Sequence, residues 1–148
     1  MEIQKYVLIL TLAFAGVGAA HSELESSTPA ANATLQAAPP VTSLTFSEAV
    51  EVRFSTFKVY PLGADTDLAN TPEAQNGLAG ALVSEVLETQ GDDEARADTG
   101  VETAERTADT VTLPLKPDLP AGVYVVMWRV LSADTHTSQG FITFRVAP

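Results

Sequence analysis

Residues 123–130 read VYVVMWRV, and this stretch carries the clearest fold signal in the chain. Alternate side chains fall on one side of an extended segment, namely those of Tyr124, Val126, Trp128 and Val130. Because the side chains of a strand point alternately to its two faces, this period of two predicts a β-strand with one face in a core. We expect Trp128 to pack in that core, and Met127 to lie in the core or on the sheet surface.

The same period of two recurs along the chain, at residues 41–46, 56–59, 110–115 and 141–146. Proline and glycine residues separate these stretches, as turns between short strands require. Such a pattern indicates an all-β fold, an antiparallel β-sandwich. Pro114 lies inside one predicted strand and places that strand at a sheet edge or a bulge, because proline cannot donate a hydrogen bond to a neighbouring strand.

Residues 1–20 predict a secretory signal peptide. Lys5 supplies a short basic region, residues 6–15 form an uninterrupted apolar run, and small residues lead up to Ala20. This apolar run is shorter than the roughly twenty residues that a membrane-spanning helix needs. Cleavage after Ala20 would release a single secreted domain, 21–148, with a sizeable core. The alternative is an uncleaved N-terminal anchor.

The composition narrows the classes of partner. The chain has 19 Asp+Glu against 8 Lys+Arg, a formal net charge of −11, and no cysteine. Such a surface argues against nucleic acid and anionic lipid as partners, since binding either depends on clustered lysine and arginine. A secreted domain without cysteine must be stabilised by packing and not by disulfides.

Most of the acidic residues lie within residues 63–109, which interrupt the strand pattern. Apolar residues at helical spacing predict a short amphipathic helix at 78–89, ended by Gly91. The acidic triplet at 92–94 lacks the spaced oxygen ligands and the turn glycine of a calcium-binding loop. We therefore predict a solvated loop there.

The chain has only two histidines, His21 and His136. Asp134 precedes His136 by two positions, so the two side chains share one side if the segment stays extended. They supply half a metal site. A processed N-terminus at His21 would add an α-amine and an imidazole that close a chelate ring. This set of three nitrogens and one oxygen suits Cu(II), with Zn²⁺ as the competitor, whereas Cu(I) prefers sulfur.

Three stretches carry a family resemblance: 21–30 (HSELESSTPA), 44–50 (LTFSEAV) and 121–136 (AGVYVVMWRVLSADTH), followed by Gly140 and the closing strand. Together they resemble the copper-resistance protein C (CopC) family of periplasmic copper carriers. The resemblance covers both ends of the predicted domain. It implies a Greek-key β-sandwich or barrel, immunoglobulin-like and cupredoxin-like in type, into which residues 63–109 are inserted.

The resemblance also implies a ligand set for Cu(II). His21 matches the family's N-terminal ligand, with its amine and imidazole, and Asp134 and His136 match the family's Asp-x-His pair. Glu48 matches a glutamate near the site, as an axial ligand or a hydrogen-bond partner of a ligand; the alternative is a carboxylate in a turn. The family pattern has glycine where Thr135 stands, so the backbone of this loop would differ if that glycine used a positive φ.

The function implied by the resemblance is copper sequestration, copper resistance, or delivery of copper to a separate inner-membrane transporter of the CopD type. The mature chain would be periplasmic, would not insert into the membrane, and would not be an enzyme. One alternative is a copper-dependent polysaccharide monooxygenase, which also uses an N-terminal histidine. Asp134 argues against it by filling a position that oxygen activation needs open. A structural immunoglobulin-like module is the other alternative.

Overall fold

The computed structural model describes residues 22–63 and 71–148. The predicted signal peptide 1–20 and His21 lie outside the described residues. The elements follow in the order β1 (Leu24–Thr28), β2 (Thr34–Leu35), β3 (Val41–Glu51), a 3₁₀ turn (Val52–Phe54), β4 (Thr56–Pro61), α1 (Pro72–Val86), β5 (Thr107–Pro114), β6 (Gly122–Leu131) and β7 (Thr137–Val146). None of the helices in these two described ranges is long and apolar enough to cross a membrane.

Two sheets form the fold, one in the order β1-β3-β5 and the other in the order β2-β7-β6-β4. All strand pairs are antiparallel except the short β2–β7 pair. Each sheet turns an apolar face towards the other, which confirms the predicted all-β sandwich. Of the two forms that the resemblance implied, the sandwich is the one observed. Pro114 ends β5 at the edge of its sheet, as predicted.

β6 is the strand around which the core is built. Its Trp128 packs edge-on against Phe46 of β3, with ring centroids 5.9 Å apart, so the predicted core role of Trp128 is confirmed. Gly140 of β7 lies opposite Trp128 in the ladder. A Cβ at position 140 would lie 2.7 Å from Cζ2 of the indole, so only glycine leaves room for this ring.

The acidic segment adds a third layer. The predicted helix is confirmed, but it spans Pro72–Val86 and thus begins and ends earlier than 78–89. Thr71 caps its first turn by accepting a hydrogen bond from the Ala74 amide, and Pro72 is well suited to the first helical position. The inner face of α1 covers the outward face of β6, which buries Met127 completely.

A buried polar cluster holds the end of α1 and the following loop on the sheet; we call Lys58, Tyr60 and Asp92 the helix latch. The Lys58 ammonium donates to the carbonyls of Val86 and Thr89 and lies 2.7 Å from Oδ2 of Asp92. The Tyr60 hydroxyl donates to the same carboxylate oxygen. The side chains of Lys58 and Asp92 are 5% and 9% exposed. The predicted solvated loop is therefore wrong for Asp92.

Burial alone would raise the pKa of the Asp92 carboxyl. The hydrogen bonds from Lys58 and Tyr60 outweigh burial and hold that pKa below its ordinary value. Burial, and next the hydrogen bond to Asp92, raise the pKa of the Tyr60 hydroxyl. The latch therefore holds an ionised carboxylate and a neutral phenol at neutral pH.

Candidate metal centre

The predicted pair Asp134 and His136 lies in the short connection between β6 and β7. The connection reverses the chain: the Ser132 amide donates to the His136 carbonyl at 2.9 Å, and the Thr135 amide donates to the Ser132 carbonyl at 2.9 Å. The assumption of an extended segment is therefore wrong. The physical reason is that β6 and β7 are antiparallel neighbours paired from residue 131 to residue 137, so the residues between them must form a tight turn.

Thr135 has a φ of 72°, in the left-handed region. A β-branched residue rarely adopts this conformation, which costs on the order of 1–2 kcal/mol relative to glycine. The resemblance to the CopC family implies glycine at this position. Here the backbone keeps a conformation suited to glycine although threonine occupies it, so the loop is locally strained beside the candidate ligands.

The turn brings the two candidate ligands into contact. Nδ1 of His136 lies 3.1 Å from Oδ2 of Asp134, and the His136 amide donates to Oδ1 of Asp134 at 3.2 Å. The Ser132 hydroxyl also donates to Oδ1. The Asp134 and His136 side chains are 35% and 55% exposed. An incoming metal ion can therefore reach both of them from solvent.

Hydrogen bonds keep Asp134 ionised. The hydrogen bond from the Ser132 hydroxyl is the largest cause. Desolvation opposes it by raising the pKa, and contacts with His136 lower it further, so that the pKa of the Asp134 carboxyl falls to about 2. The group is therefore a carboxylate throughout the neutral range, which is the form that coordinates metals.

The first described residues of the chain lie against the start of β7. The Ser138 hydroxyl donates to the Ser22 carbonyl at 2.8 Å. On the other side, the Glu23 amide donates to the Ser47 hydroxyl at 3.0 Å and the Glu23 carbonyl accepts from the Ser47 amide at 2.8 Å. The chain therefore enters β1 two positions away from His136 along β7. His21, whose role as a ligand is predicted, is the residue covalently joined to Ser22.

Glu48 is exposed on β3, where the pairing of β3 with β5 shifts in register. Within residues 22–63 and 71–148, no three His, Cys, Asp or Glu side chains lie together in a way that could hold a metal ion. The structure thus joins Asp134 to His136 and does not bring Glu48 into a cluster with them. Its role as an axial ligand stays a prediction.

The sequence reasoning missed two serines at this end of the fold. Ser132 fixes the Asp134 carboxylate, and Ser138 holds the Ser22 main chain. Serine is common in strands and turns, and no spacing in the sequence distinguishes these two from the others. Their contacts depend on the pairing of distant strands.

Three known proteins are similar to this chain, two compared in sequence and one in structure. Copper resistance protein C from Escherichia coli is 32% identical over 139 residues, which cover 94% of this chain and 90% of that protein. Copper transport protein CutJ from Bacillus subtilis is 29% identical over 142 residues, 95% of this chain but only 21% of that protein. The crystal structure of PcoC, a methionine-rich copper resistance protein from Escherichia coli, superimposes with a TM-score of 0.58 at 30% identity, covering 86% of this chain and 99% of that one.

The family model for the CopC domain matches residues 24–84 and 79–147. These matches include both sheets and the acidic segment between them. The relatives named above are a copper resistance protein and a copper transport protein, which indicates a copper-related function for this chain. The chain therefore belongs to the CopC domain family, which consists of copper-binding resistance proteins and not of enzymes.

Proposed function

We propose that this chain is a secreted, periplasmic Cu(II)-binding protein that sequesters copper or delivers it to a separate acceptor, such as a membrane importer. The observation that carries the proposal is the preformed Asp134–His136 pair, held 3.1 Å apart at the point where the N-terminal segment meets β7. Signal peptide 1–20 and mature domain 21–148 are parts of the same proposal.

The ligand set combines this pair with His21 as the first residue of the mature chain. Consecutive Cα atoms are about 3.8 Å apart, so residue 21 starts within one such step of Ser22. Ser138 holds the Ser22 carbonyl and lies two positions after His136. The amine and imidazole of His21 would therefore need to extend only a short distance to reach a metal ion bound by Asp134 and His136. Cu(II) would then bind two imidazoles, one amine and one carboxylate.

The available ligands favour Cu(II) over Cu(I). Amine, imidazole and carboxylate suit the tetragonal coordination of Cu(II), and Cu(II) leads the divalent first-row metals in affinity for such ligands. Cu(I) prefers thiolate and thioether sulfur. This chain has no cysteine and two methionines, one in the predicted signal peptide and the other, Met127, completely buried under α1. PcoC is described as methionine-rich, and in that respect this chain differs from it.

Partial exposure of the ligands suits a carrier. Asp134 and His136 are open to solvent, so an acceptor could approach the metal and exchange ligands without unfolding the domain. Binding requires a deprotonated amine and neutral imidazoles, so acidification would release the copper. Glu48 would contribute from the axial direction or by a hydrogen bond to a ligand.

The test is electron paramagnetic resonance of the protein loaded with one equivalent of Cu(II). The full chain is expressed with residues 1–20 in place, and mass spectrometry checks whether the exported protein begins at His21. A matched variant carries Gly-Ser-Gly-Ser inserted between Ala20 and His21, so that the new N-terminal amine lies too far from the histidine to form a three-residue copper chelate with it. For the protein that begins at His21 we expect a tetragonal spectrum with nitrogen couplings. For the extended variant we expect a spectrum with fewer nitrogen couplings.

Identical spectra from the two proteins would show that the amine is not a ligand, and His21 would have to be withdrawn from the set. A spectrum of weakly bound copper in both would overturn the carrier function itself. His136→Ala serves as the reference for loss of a ligand from the other side of the site.

A further inference from the structure

The N-terminal segment before β1 is held by side chains from both sheets. Ser138 of β7 donates its hydroxyl to the Ser22 carbonyl at 2.8 Å, and Ser47 of β3 accepts from the Glu23 amide at 3.0 Å. The strand pairing of β1 begins only at Leu24. Two side-chain contacts therefore fix the Ser22 carbonyl and the Glu23 amide, beside the main-chain bond from the Ser47 amide to the Glu23 carbonyl.

Ser22 is unusual among the polar residues of this region. It is 2% exposed. Its hydroxyl oxygen is fully buried and has no hydrogen-bond partner among the residues described. A buried hydroxyl without a partner is costly, so such a group marks a place where a further polar group is expected.

The surroundings of Ser22 indicate where that further group lies. A cleft of about 420 Å³ opens beside it, lined by Ser22, Glu23, Leu24, Trp128, Thr137, Ser138 and Gln139. Among the lining residues, Thr137 is the one that follows the candidate ligand His136 directly in the chain. The only covalent neighbour of Ser22 outside the described residues is His21.

We infer that Ser138 and Ser22 are positioning residues for the N-terminal copper ligand: Ser138 fixes the main chain that follows His21, and the Ser22 hydroxyl hydrogen-bonds the amino end of the chain in the copper-bound state. This inference rests on the proposed function. A chain terminus is otherwise free to sample many conformations, and ordering it opposes binding. Holding the following residue in advance reduces that loss, and a hydrogen bond to a ligand group orients it towards the metal.

The first experiment compares Ser138→Ala with Ser27→Ala, both processed to begin at His21. Ser27 lies at the other end of β1 and donates its hydroxyl to the Pro29 carbonyl at 2.8 Å, so the control loses a hydrogen bond of the same kind and length. Copper dissociation is followed by transfer to a chelator in excess. We expect Ser138→Ala to release Cu(II) about three- to tenfold faster than the unsubstituted protein, and Ser27→Ala to release it at the unsubstituted rate.

Two measurements separate positioning from a general loss of stability. Ser138→Thr keeps a hydroxyl on a strand and should restore slow release. Thermal unfolding without copper should give similar midpoints for Ser138→Ala and Ser27→Ala, since each removes one partly buried hydrogen bond. An equal rate of copper release from these two alanine variants would overturn the role of Ser138.

Ser22→Ala tests the buried hydroxyl. If this hydroxyl acts only in the copper-bound state, its removal leaves the metal-free unfolding midpoint unchanged or higher and speeds copper release by about three- to tenfold. A lower metal-free midpoint with unchanged release would assign Ser22 to folding alone and overturn its positioning role. The electron paramagnetic resonance spectrum of the unsubstituted protein is recorded first. If that spectrum shows no amine ligand, the proposed function fails; if it does show one, a negative result with the serine variants counts only against the positioning roles.

Discussion

Asp134 and His136 contact each other across a reversing turn, with the imidazole Nδ1 3.1 Å from the carboxylate Oδ2. The same carboxylate accepts from the Ser132 hydroxyl and the His136 amide through its other oxygen. The pair is therefore oriented by the turn before any metal arrives. A site assembled in advance loses less conformational freedom on binding.

Replacing His136 with alanine should weaken Cu(II) binding by at least about a hundredfold, since even groups that only support a metal ligand are worth 10- to 100-fold. The imidazole is 55% exposed, so we expect the thermal unfolding midpoint without metal to change little. Competition titration with a copper chelator measures the affinity. Affinity within twofold of the unsubstituted protein would exclude His136 as a ligand.

Asp134→Asn separates the charge of this side chain from its hydrogen bonds. The amide oxygen can still accept from Ser132 and from the His136 amide, so the turn should persist. Without the anionic oxygen we expect about a tenfold loss of Cu(II) affinity. Asp134→Ala, which also removes the acceptor, should lose more. Equal affinities for Asn and Asp at this position would show that Asp134 orients the turn and does not bind copper directly.

Lys58→Met should destabilise the fold by about 3 kcal/mol, because it leaves the Asp92 carboxylate buried beside Tyr60 without its cation. The double variant Lys58→Met with Asp92→Leu removes both charges and should recover much of this loss. Urea unfolding measures both. Copper affinity should be unaffected, since the helix latch holds α1 and no candidate ligand. A single variant as stable as the unsubstituted protein would contradict the role of the latch.

The latch also predicts a dependence of stability on acid. The pKa of Asp92 is lower in the folded chain than its ordinary value of 3.8, so below that value the unfolded chain binds more protons than the folded one. The stabilisation is present above pH 4 and is lost as the pH falls through the folded pKa. We expect metal-free Asp92→Asn to show a shallower fall in unfolding midpoint below pH 4. Parallel profiles for the two proteins would contradict this assignment.

Gly140→Ala should destabilise the fold by about 1–3 kcal/mol, because the new methyl group would lie 2.7 Å from the buried indole of Trp128. Gly77→Ala is the matched control: it lies in α1, where a Cβ has nothing within 4 Å, and should stabilise the helix by up to about 1 kcal/mol. Chemical denaturation of both variants checks the opposite signs. Destabilisation of the same size at both positions would show that contact with Trp128 is not the cause.

Local pattern was sufficient for much of this fold. Alternation of apolar residues located five of the strands, because a strand with one face in a core needs side chains at every second position. Pro114 marked an edge for the equally local reason that it cannot donate to a ladder. The short strands β1 and β2 were missed because neither has a run of alternating apolar residues; they form by pairing with β3 and β7.

The sequence by itself determined the sandwich class, the core role of Trp128 and the candidate pair of Asp134 and His136. Only the tertiary structure decided that this pair meets through a turn with Thr135 at positive φ, that Asp92 is buried, and that Ser138 reaches Ser22. The physical reason is distance along the chain. Alternation and turn propensity act between neighbours, whereas the Ser22–Ser138 and Lys58–Asp92 contacts exist only after distant strands and the helix have packed together.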